Sequence, residues 1–423
     1  MTDMPHVVVL GAGFAGIAAT RKLAKAGFRV TVIDRHPYNT FQPLLYQVAT
    51  GGLNPGDVTY SLRFFAARKK GVKFRRADVV GIDHENQAVI CADGVNVSFD
   101  YLIIGTGVTT NHFGIPGAAE YTMSMYTRAE AIKVRDTIYG GMEALAARRD
   151  PGSRGFTVLV VGGGATGVEM AGSLAEMRSA IPKLFPEIDR AKVHVILVEM
   201  APHLLAPFDA KLRDYTRKEL INKGVEVRLN TAIAEVHADH VDLKNGQTLP
   251  ADLVIWAAGI GGYTQIKEWG LPIGRGGRIE TGTDLRVVGQ QRIFAVGDAA
   301  VSNDDPLPQL AQPAIQGGEH AVAQIIRLER GEPTMPFHYH DKGTMATIGN
   351  QAAVLQLPIG VKMKGTLAWI GWIVLHIYTL LGGRNRVQTF INLAWRYLSW
   401  PRDVGSIVGD IAKTPAMKAI END

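Results

Sequence analysis

The chain has 423 residues, 46% of them hydrophobic and 20% charged, enough apolar material for a sizeable core and two or three domains, and this excludes disorder. Lys plus Arg outnumber Asp plus Glu by 45 to 40, a net charge of +5 that suits an anionic cofactor or membrane surface; with no dense Lys/Arg block, nucleic acid is not expected as a partner. The single cysteine, Cys91, excludes an internal disulfide, a cysteine-based metal cluster and a two-cysteine redox relay, and no metal-ligating set is assigned.

The first stretch, MTDMPHVVVLGAGFAG, has no basic leader and no cleavage pattern, so it reads as fold and a cytoplasmic location is expected. His6 to Leu10 is a β-rich run. Gly11, Gly13 and Gly16 follow as GxGxxG, then a helix-like segment, then RVTVID ending at Asp34. In this pattern the first glycine makes the tight turn, the second admits a pyrophosphate to the backbone, and the third lets helix and strand pack closely. Asp34 would accept hydrogen bonds from a ribose diol.

The pattern recurs. FTVLVVGGGATGVEMAGSLAEM places Gly162, Gly164 and Gly167 after a second β-rich run, and KVHVILVE ends at Glu199. That acid lies further from its glycines than the usual offset of about 20 residues, which implies a longer helix and loop between. Two copies in matching context predict two bound dinucleotides. An acid with no Arg in the MAPHLLA that follows it favours NADH over NADPH, because a 2′-phosphate would meet negative charge; His203 could soften that preference.

Two further turns, YLIIGTG with Thr106 and Gly107, and RIFAVGDAA with Asp298, resemble the cofactor turns of two-dinucleotide-fold flavoproteins. The resemblance implies that Asp298 holds the ribityl chain of FAD, although a helix N-cap is the plain alternative. The FAD domain is then discontinuous, residues 1–115 and 275–340, with the NADH domain 116–274 inserted and a C-terminal region 341–423 to follow.

Where the electrons leave decides the family. Disulfide reductases carry a CxxxxC pair near FQPLLYQVAT, and sulfide:quinone oxidoreductases need several cysteines; one cysteine supports neither. The stretches YNTFQPLLYQVATGGL, VVGGGATGVEMAGSLAE, FAVGDAA, LAQPAIQGGEHAV and LLGGRNRVQTFINLAWRYLSW are similar to those of type II NADH:quinone oxidoreductases, and the likeness runs from Val7 to about Trp400. It implies an α/β protein with two Rossmann-like domains and a C-terminal membrane-associating helical segment. It also implies FAD and NADH as cofactors, hydride transfer from NADH to FAD, reduction of a respiratory-chain quinone without proton pumping, and a homodimer at the cytoplasmic face of the cell membrane. Further cofactor contacts are implied at Phe14, Ala15, Arg35, Pro43, Leu44 and Gly259.

Pro313 sits where a helix can begin, and that helix's N-terminus would favour negative charge on the flavin. Gln312 and Gln316, four apart, share a helical face that the resemblance assigns to the quinone head group; capping and solvent-facing glutamines are the plain reading. The family carries a glutamate at Glu169, implying a role in orienting cofactors or in proton flow, against a simple acid in the first helical turn. Lys364 resembles a family lysine near the quinone entrance, or is a snorkelling lysine at a membrane edge.

The uncharged run GTLAWIGWIVLHIYTLLGG, 365–383, is long enough as a helix to approach a span of about 30 Å. Lys362 and Lys364 precede it and Arg384 and Arg386 follow it, so no charge asymmetry sets an orientation. One face carries Ile370, Ile373, Val374, Ile377, Leu380 and Leu381, and the other Ala368, His376, Thr379 and Gly383. A second stripe holds Val387, Phe390, Ile391, Ala394, Tyr397 and Leu398, with Trp369, Trp372, Trp395 and Trp400 as anchors. Two helices lying in the membrane surface through 363–400 are therefore expected, with a span or a lipid-free dimer or core interface as the alternatives. A soluble ferredoxin or rubredoxin reductase would have no use for them, and an NADH-responsive interaction protein would bind NADH without turnover.

Overall fold

The computed structural model describes residues 4–147, 155–302 and 307–399. Their contacts divide the chain into two units. The first comprises Met1–Thr40, Tyr60–Thr109 and Ile260–Lys342; the second comprises Phe41–Thr59, Thr110–Gly259 and Gly343–Asp423. Five helices carry the functional argument: α1 (Phe14–Lys25), α2 (Ala165–Leu184), α3 (Ala311–Glu329), α4 (Thr366–Thr379) and α5 (Gly383–Ser399).

The first unit is built on a five-stranded parallel sheet in the order Ile293–Ala295, Tyr101–Ile104, His6–Leu10, Arg29–Asp34, Val72–Arg76. Its central strands read as continuous apolar runs because both faces of the sheet are covered, one of them by the strands that carry Ile82, Val89 and Cys91; Val7, Val8, Val9, Leu102, Ile103 and Ile104 are fully buried. A three-stranded antiparallel meander, Val79–Asp83, Ala88–Cys91 and Asn96–Ser98, is inserted before Tyr101–Ile104.

The second unit repeats this plan. Its parallel sheet runs Thr122–Met123, Leu253–Trp256, Phe156–Val161, Val193–Val198, Glu226–Arg228, with a meander of Ile233–Val236, His240–Leu243 and Thr248–Pro250 at the corresponding place. Only the source of the edge strand differs: it comes from downstream in the first unit and from upstream in the second.

The C-terminal region belongs to the second unit. Its antiparallel sheet, Thr344–Gly349, Ala352–Gln356 and Lys362–Lys364, lies against α2 so closely that a Cβ at Gly172 would collide with the carbonyl of Ile348. Helix α4 packs on that sheet through Ala368, which joins Ala353 and Leu355 in one cluster.

Candidate functional site

Each unit holds one GxGxxG turn, and the three glycines have corresponding surroundings in both. Gly11 and Gly162 have φ of +87° and +109°, and a Cβ at either would press into the backbone that follows the neighbouring strand, at Gly105 after Tyr101–Ile104 in one and at Ala257 after Leu253–Trp256 in the other. Only glycine serves there. A Cβ at Gly16 or Gly167 would collide with the carbonyl of Gly11 or Gly162. Gly13 and Gly164, which cap α1 and α2, have open space in front of them, the place a pyrophosphate needs.

The acids match as well. Asp34 accepts hydrogen bonds from Ala12 N and His36 N at 2.8 Å, one on each carboxylate oxygen, and burial pushes its carboxyl up. Glu199 accepts from Gly163 N at 2.5 Å and Ala201 N at 2.7 Å in the same manner. Each oxygen keeps a lone pair for a ribose hydroxyl. The long spacing before Glu199 is taken up by the 20-residue α2 and a short 3₁₀ turn, Arg190–Lys192.

The first unit also fits a flavin nucleotide. Thr106 Oγ1 and Gln312 Oε1 are buried without a hydrogen-bond partner, as expected of groups whose partner is a ligand. Gly107 opens onto free space. Asp298 lies in the 3₁₀ turn Gly297–Ala299, where a Cβ at Gly297 would lie 3.4 Å from Ala15 of α1 and 3.0 Å from Ala314 of α3. The glycine turn, the Asp298 turn and the start of α3 thus converge. Helix α3 begins two residues before Pro313, with Leu310 as an N-cap that makes no side-chain bond, so its first N–H groups remain available.

Other expected contacts fall variously. Phe14 and Ala15 open α1. Arg35 lies over the ring of Tyr263 at 4.9 Å and 3.9 Å from Asp78. Gly259, in the second unit, abuts the Phe113 ring and accepts from Asn111 N at 3.0 Å. Pro43 and Leu44 form a 3₁₀ turn in the second unit, and Leu44, 0% exposed, is core and offers no ligand surface. Gln316 clasps the backbone of His340, donating to its carbonyl and accepting from its N–H, both at 3.0 Å. Its partner is protein backbone and not solvent. Lys364 places its ammonium 5.1 Å from the ring centroid of Tyr215.

Glu169 is not a surface acid in the first turn of α2, which carries none; it is buried in the next turn. Thr347 N donates to its Oε1 at 3.4 Å and Trp372 of α4 hydrogen-bonds it as well. Burial outweighs those bonds and pushes its pKa up to about 8, so near neutrality it carries a proton. Tyr46 packs edge-on to Trp372 with centroids 6.0 Å apart, and His376 stacks on Trp372 at 3.9 Å. Burial brings His376 down to about 4, keeping it neutral. The sequence assigns neither Trp372 nor His376 to the site: it places His376 on the protein-facing side of the helix and Trp372 among the interfacial anchors.

Among the described residues no helix is long and apolar enough to cross a membrane. The run 365–383 gives a helix of only 14 residues, about 21 Å, because the chain turns at Leu380. Leu380 is buried and Thr379 exposed, the reverse of the two expected faces, since the helix has ended there. Trp372 is buried and so anchors nothing at an interface; Trp395 is exposed, Trp369 stacks edge-on against Tyr397 at 4.7 Å, and Trp400 lies outside the described residues.

Helix α5 is polar on its inner face. Asn385 Nδ2 donates to Thr59 O at 2.6 Å, Thr389 Oγ1 to Asp57 O at 3.3 Å and Asn392 Nδ2 to Asp57 Oδ2 at 2.7 Å, while Arg396 pairs with Glu176 of α2 at 3.1 Å. The outer face carries Val387, Phe390, Ile391 and Trp395, all more than half exposed. That is the inverse of a helix facing water.

Two nucleotide cradles of one design and a buried acid, with a single buried cysteine in the chain, define a pyridine-nucleotide flavoprotein that passes electrons on without a disulfide. Residues 5–318 match the pyridine nucleotide-disulphide oxidoreductase family, and residues 341–399 match the NDH2 C-terminal domain. The chain belongs to the type II NADH:quinone oxidoreductases, with FAD and NADH as cofactors. It is 32% identical to the type II NADH:quinone oxidoreductase Ndh of Mycobacterium tuberculosis over 94% of this chain and 89% of that protein. It is 35% identical to NdhA of the same organism over 92% and 86%. In fold it is similar to NDH2 of Plasmodium falciparum solved with NADH (TM-score 0.86, 22% identity, 96% of this chain and 100% of that one). The sulfide:quinone oxidoreductase of Aquifex aeolicus shares the fold more loosely (TM-score 0.74, 18% identity, 97% and 99%).

Proposed function

We propose that this NADH:quinone oxidoreductase assigns its two cradles by unit, FAD to the first and NADH to the second. The observation that carries this is the pair of buried, unpartnered side-chain oxygens of Thr106 and Gln312, both in the unit that also holds Asp298. When bound, FAD supplies the two-electron relay between NADH and quinone. Gly11, Gly13, Phe14, Ala15, Gly16, Asp34, Arg35, Thr106, Gly107 and Asp298 hold it. Gly162, Gly164, Gly167, Glu199 and Gly259 hold NADH, with the Glu199 carboxylate rejecting a 2′-phosphate.

Gln312 presents its amide to a quinone carbonyl, and Gln316 holds the backbone at His340 in place beside it. Glu169, protonated near neutrality, is a proton store in the second unit; Trp372 fixes its carboxyl. Lys364 lines the edge by which quinone arrives. The exposed apolar residues Leu367, Ile370, Val374 and Tyr378 of α4 and the inverted face of α5 support a peripheral seat on the lipid surface through 363–400, at the cytoplasmic face, where NADH is available. A homodimer is proposed on the family resemblance.

The cradle assignment is tested with Gly16→Ala and Gly167→Ala. The Gly167 variant should stay yellow, bleach with dithionite and fail to bleach with NADH, while the Gly16 variant should be purified without flavin. The opposite outcome reverses the assignment.

A further inference from the structure

The hairpin joining Ile233–Val236 to His240–Leu243 in the second unit gathers donors for which NADH oxidation has no use. Val236 and Val241, paired across the strands and buried, fix its inner face. On the outer face Glu235 stands directly opposite Asp242. Like charges so placed repel. His237 sits between them, its Nε2 at 3.2 Å from Asp242 Oδ2 and 3.8 Å from Glu235 Oε1. The ring of His240 stacks on that of His237 with centroids 4.3 Å apart, and His237 N donates to His240 O at 2.9 Å, closing the turn.

One ligand atom each from His237, His240 and Asp242 lies within 4.8 Å of the others. Ligands about 2.0–2.1 Å from a tetrahedral zinc are roughly 3.3 Å apart, so the His237–Asp242 edge is already at binding distance. Two of the three are also braced from behind. Thr248 Oγ1 donates to Asp242 Oδ1 at 2.6 Å, leaving Oδ2 turned to His237, where an ion would replace the hydrogen bond between them, and His240 Nδ1 lies 2.6 Å from Asp239 Oδ1, leaving Nε2 its lone pair. Such outer carboxylates and hydroxyls are the usual support of metal-binding imidazoles.

We propose that His237, His240 and Asp242 bind a divalent transition-metal ion of the zinc class, with the fourth position open to water or to Glu235. Two imidazoles select against Mg²⁺ and Ca²⁺, which take oxygen ligands. The side chains are about one-third to two-fifths exposed, so an ion can enter from solvent.

The test uses the tag-free, FAD-loaded protein, stripped with chelator, then titrated with Zn²⁺ by calorimetry and with Co²⁺ by visible absorption. One equivalent should bind with micromolar or better affinity and give the intense visible bands of tetrahedral Co²⁺. His237→Gln and His240→Gln should each weaken binding at least tenfold, and Thr248→Val severalfold, with flavin content and NADH oxidation unchanged as the control for folding. Millimolar Mg²⁺ should not compete. No Zn²⁺ uptake by the unaltered protein, or equal uptake by the His237→Gln/His240→Gln double variant, overturns the proposal.

Discussion

Replacing Phe390 and Trp395 together by Ser probes the membrane seat. The two side chains are 59% and 61% exposed. Aromatic residues of this kind bury ~150–250 Å² each, so each has on the order of 100 Å² still to lose, worth about 2.5 kcal/mol at ~25 cal/mol/Å². A helix in the interface plane buries roughly one side of what it exposes, so about half of that total, ~2.5 kcal/mol, is realised on binding. That corresponds to a roughly 60-fold fall in the partition coefficient. The assay is co-sedimentation of the FAD-loaded protein with vesicles of mixed neutral and anionic lipid, with NADH oxidation by a water-soluble quinone as the control. A change of less than about threefold, or a shift in sedimentation from dimer to monomer with vesicle binding intact, refutes the reasoning.

Glu169→Gln should flatten the pH dependence of stability. The carboxyl titrates at about 8 in the folded chain against 4.5 ordinarily, so between these values the folded state holds more protons and stability falls as pH rises. The variant should gain on the parent by up to ~1.4 kcal/mol per pH unit across that window, seen in denaturant midpoints at pH 5, 6.5 and 8, and its kcat profile should lose an inflection near 8. Glu199→Gln removes a charge-assisted acceptor worth ~1.5–3 kcal/mol and should raise KM for NADH roughly tenfold or more while narrowing discrimination against NADPH in steady-state kinetics. Arg396→Ala leaves Glu176 largely buried without its cation and should cost ~3–5 kcal/mol, read as an earlier melt; Arg396→Met with Glu176→Gln should recover much of the loss.

The two cradles were legible in the sequence because each is a local device. Gly11, Gly13 and Gly16, like Gly162, Gly164 and Gly167, are required by turns only a few residues long, and the acids Asp34 and Glu199 end the next strand of the same sheet, beyond one helix. The length of the loop before Glu199 did not matter, since the parallel sheet re-registers the strand whatever lies between. The apolar outer stripe of α5 was legible too, since period 3.6 fixes which side chains share a face. What the inner face binds was not, because the sequence does not carry Asp57 and Glu176 next to Asn392 and Arg396; the fold does.

The amino-acid order alone determined a duplicated nucleotide-binding scaffold, the lack of a sulfur relay and two helices with one greasy side, all properties of neighbours along the chain. Tertiary structure alone decided that Glu169 is buried and protonated beside a tryptophan some two hundred residues away, that the nineteen-residue run stops short of a span, and that His237, His240 and Asp242 converge. Solvation and metal-donor geometry depend on what lies close in space, and for these groups the closest atoms come from across a turn or from a distant segment.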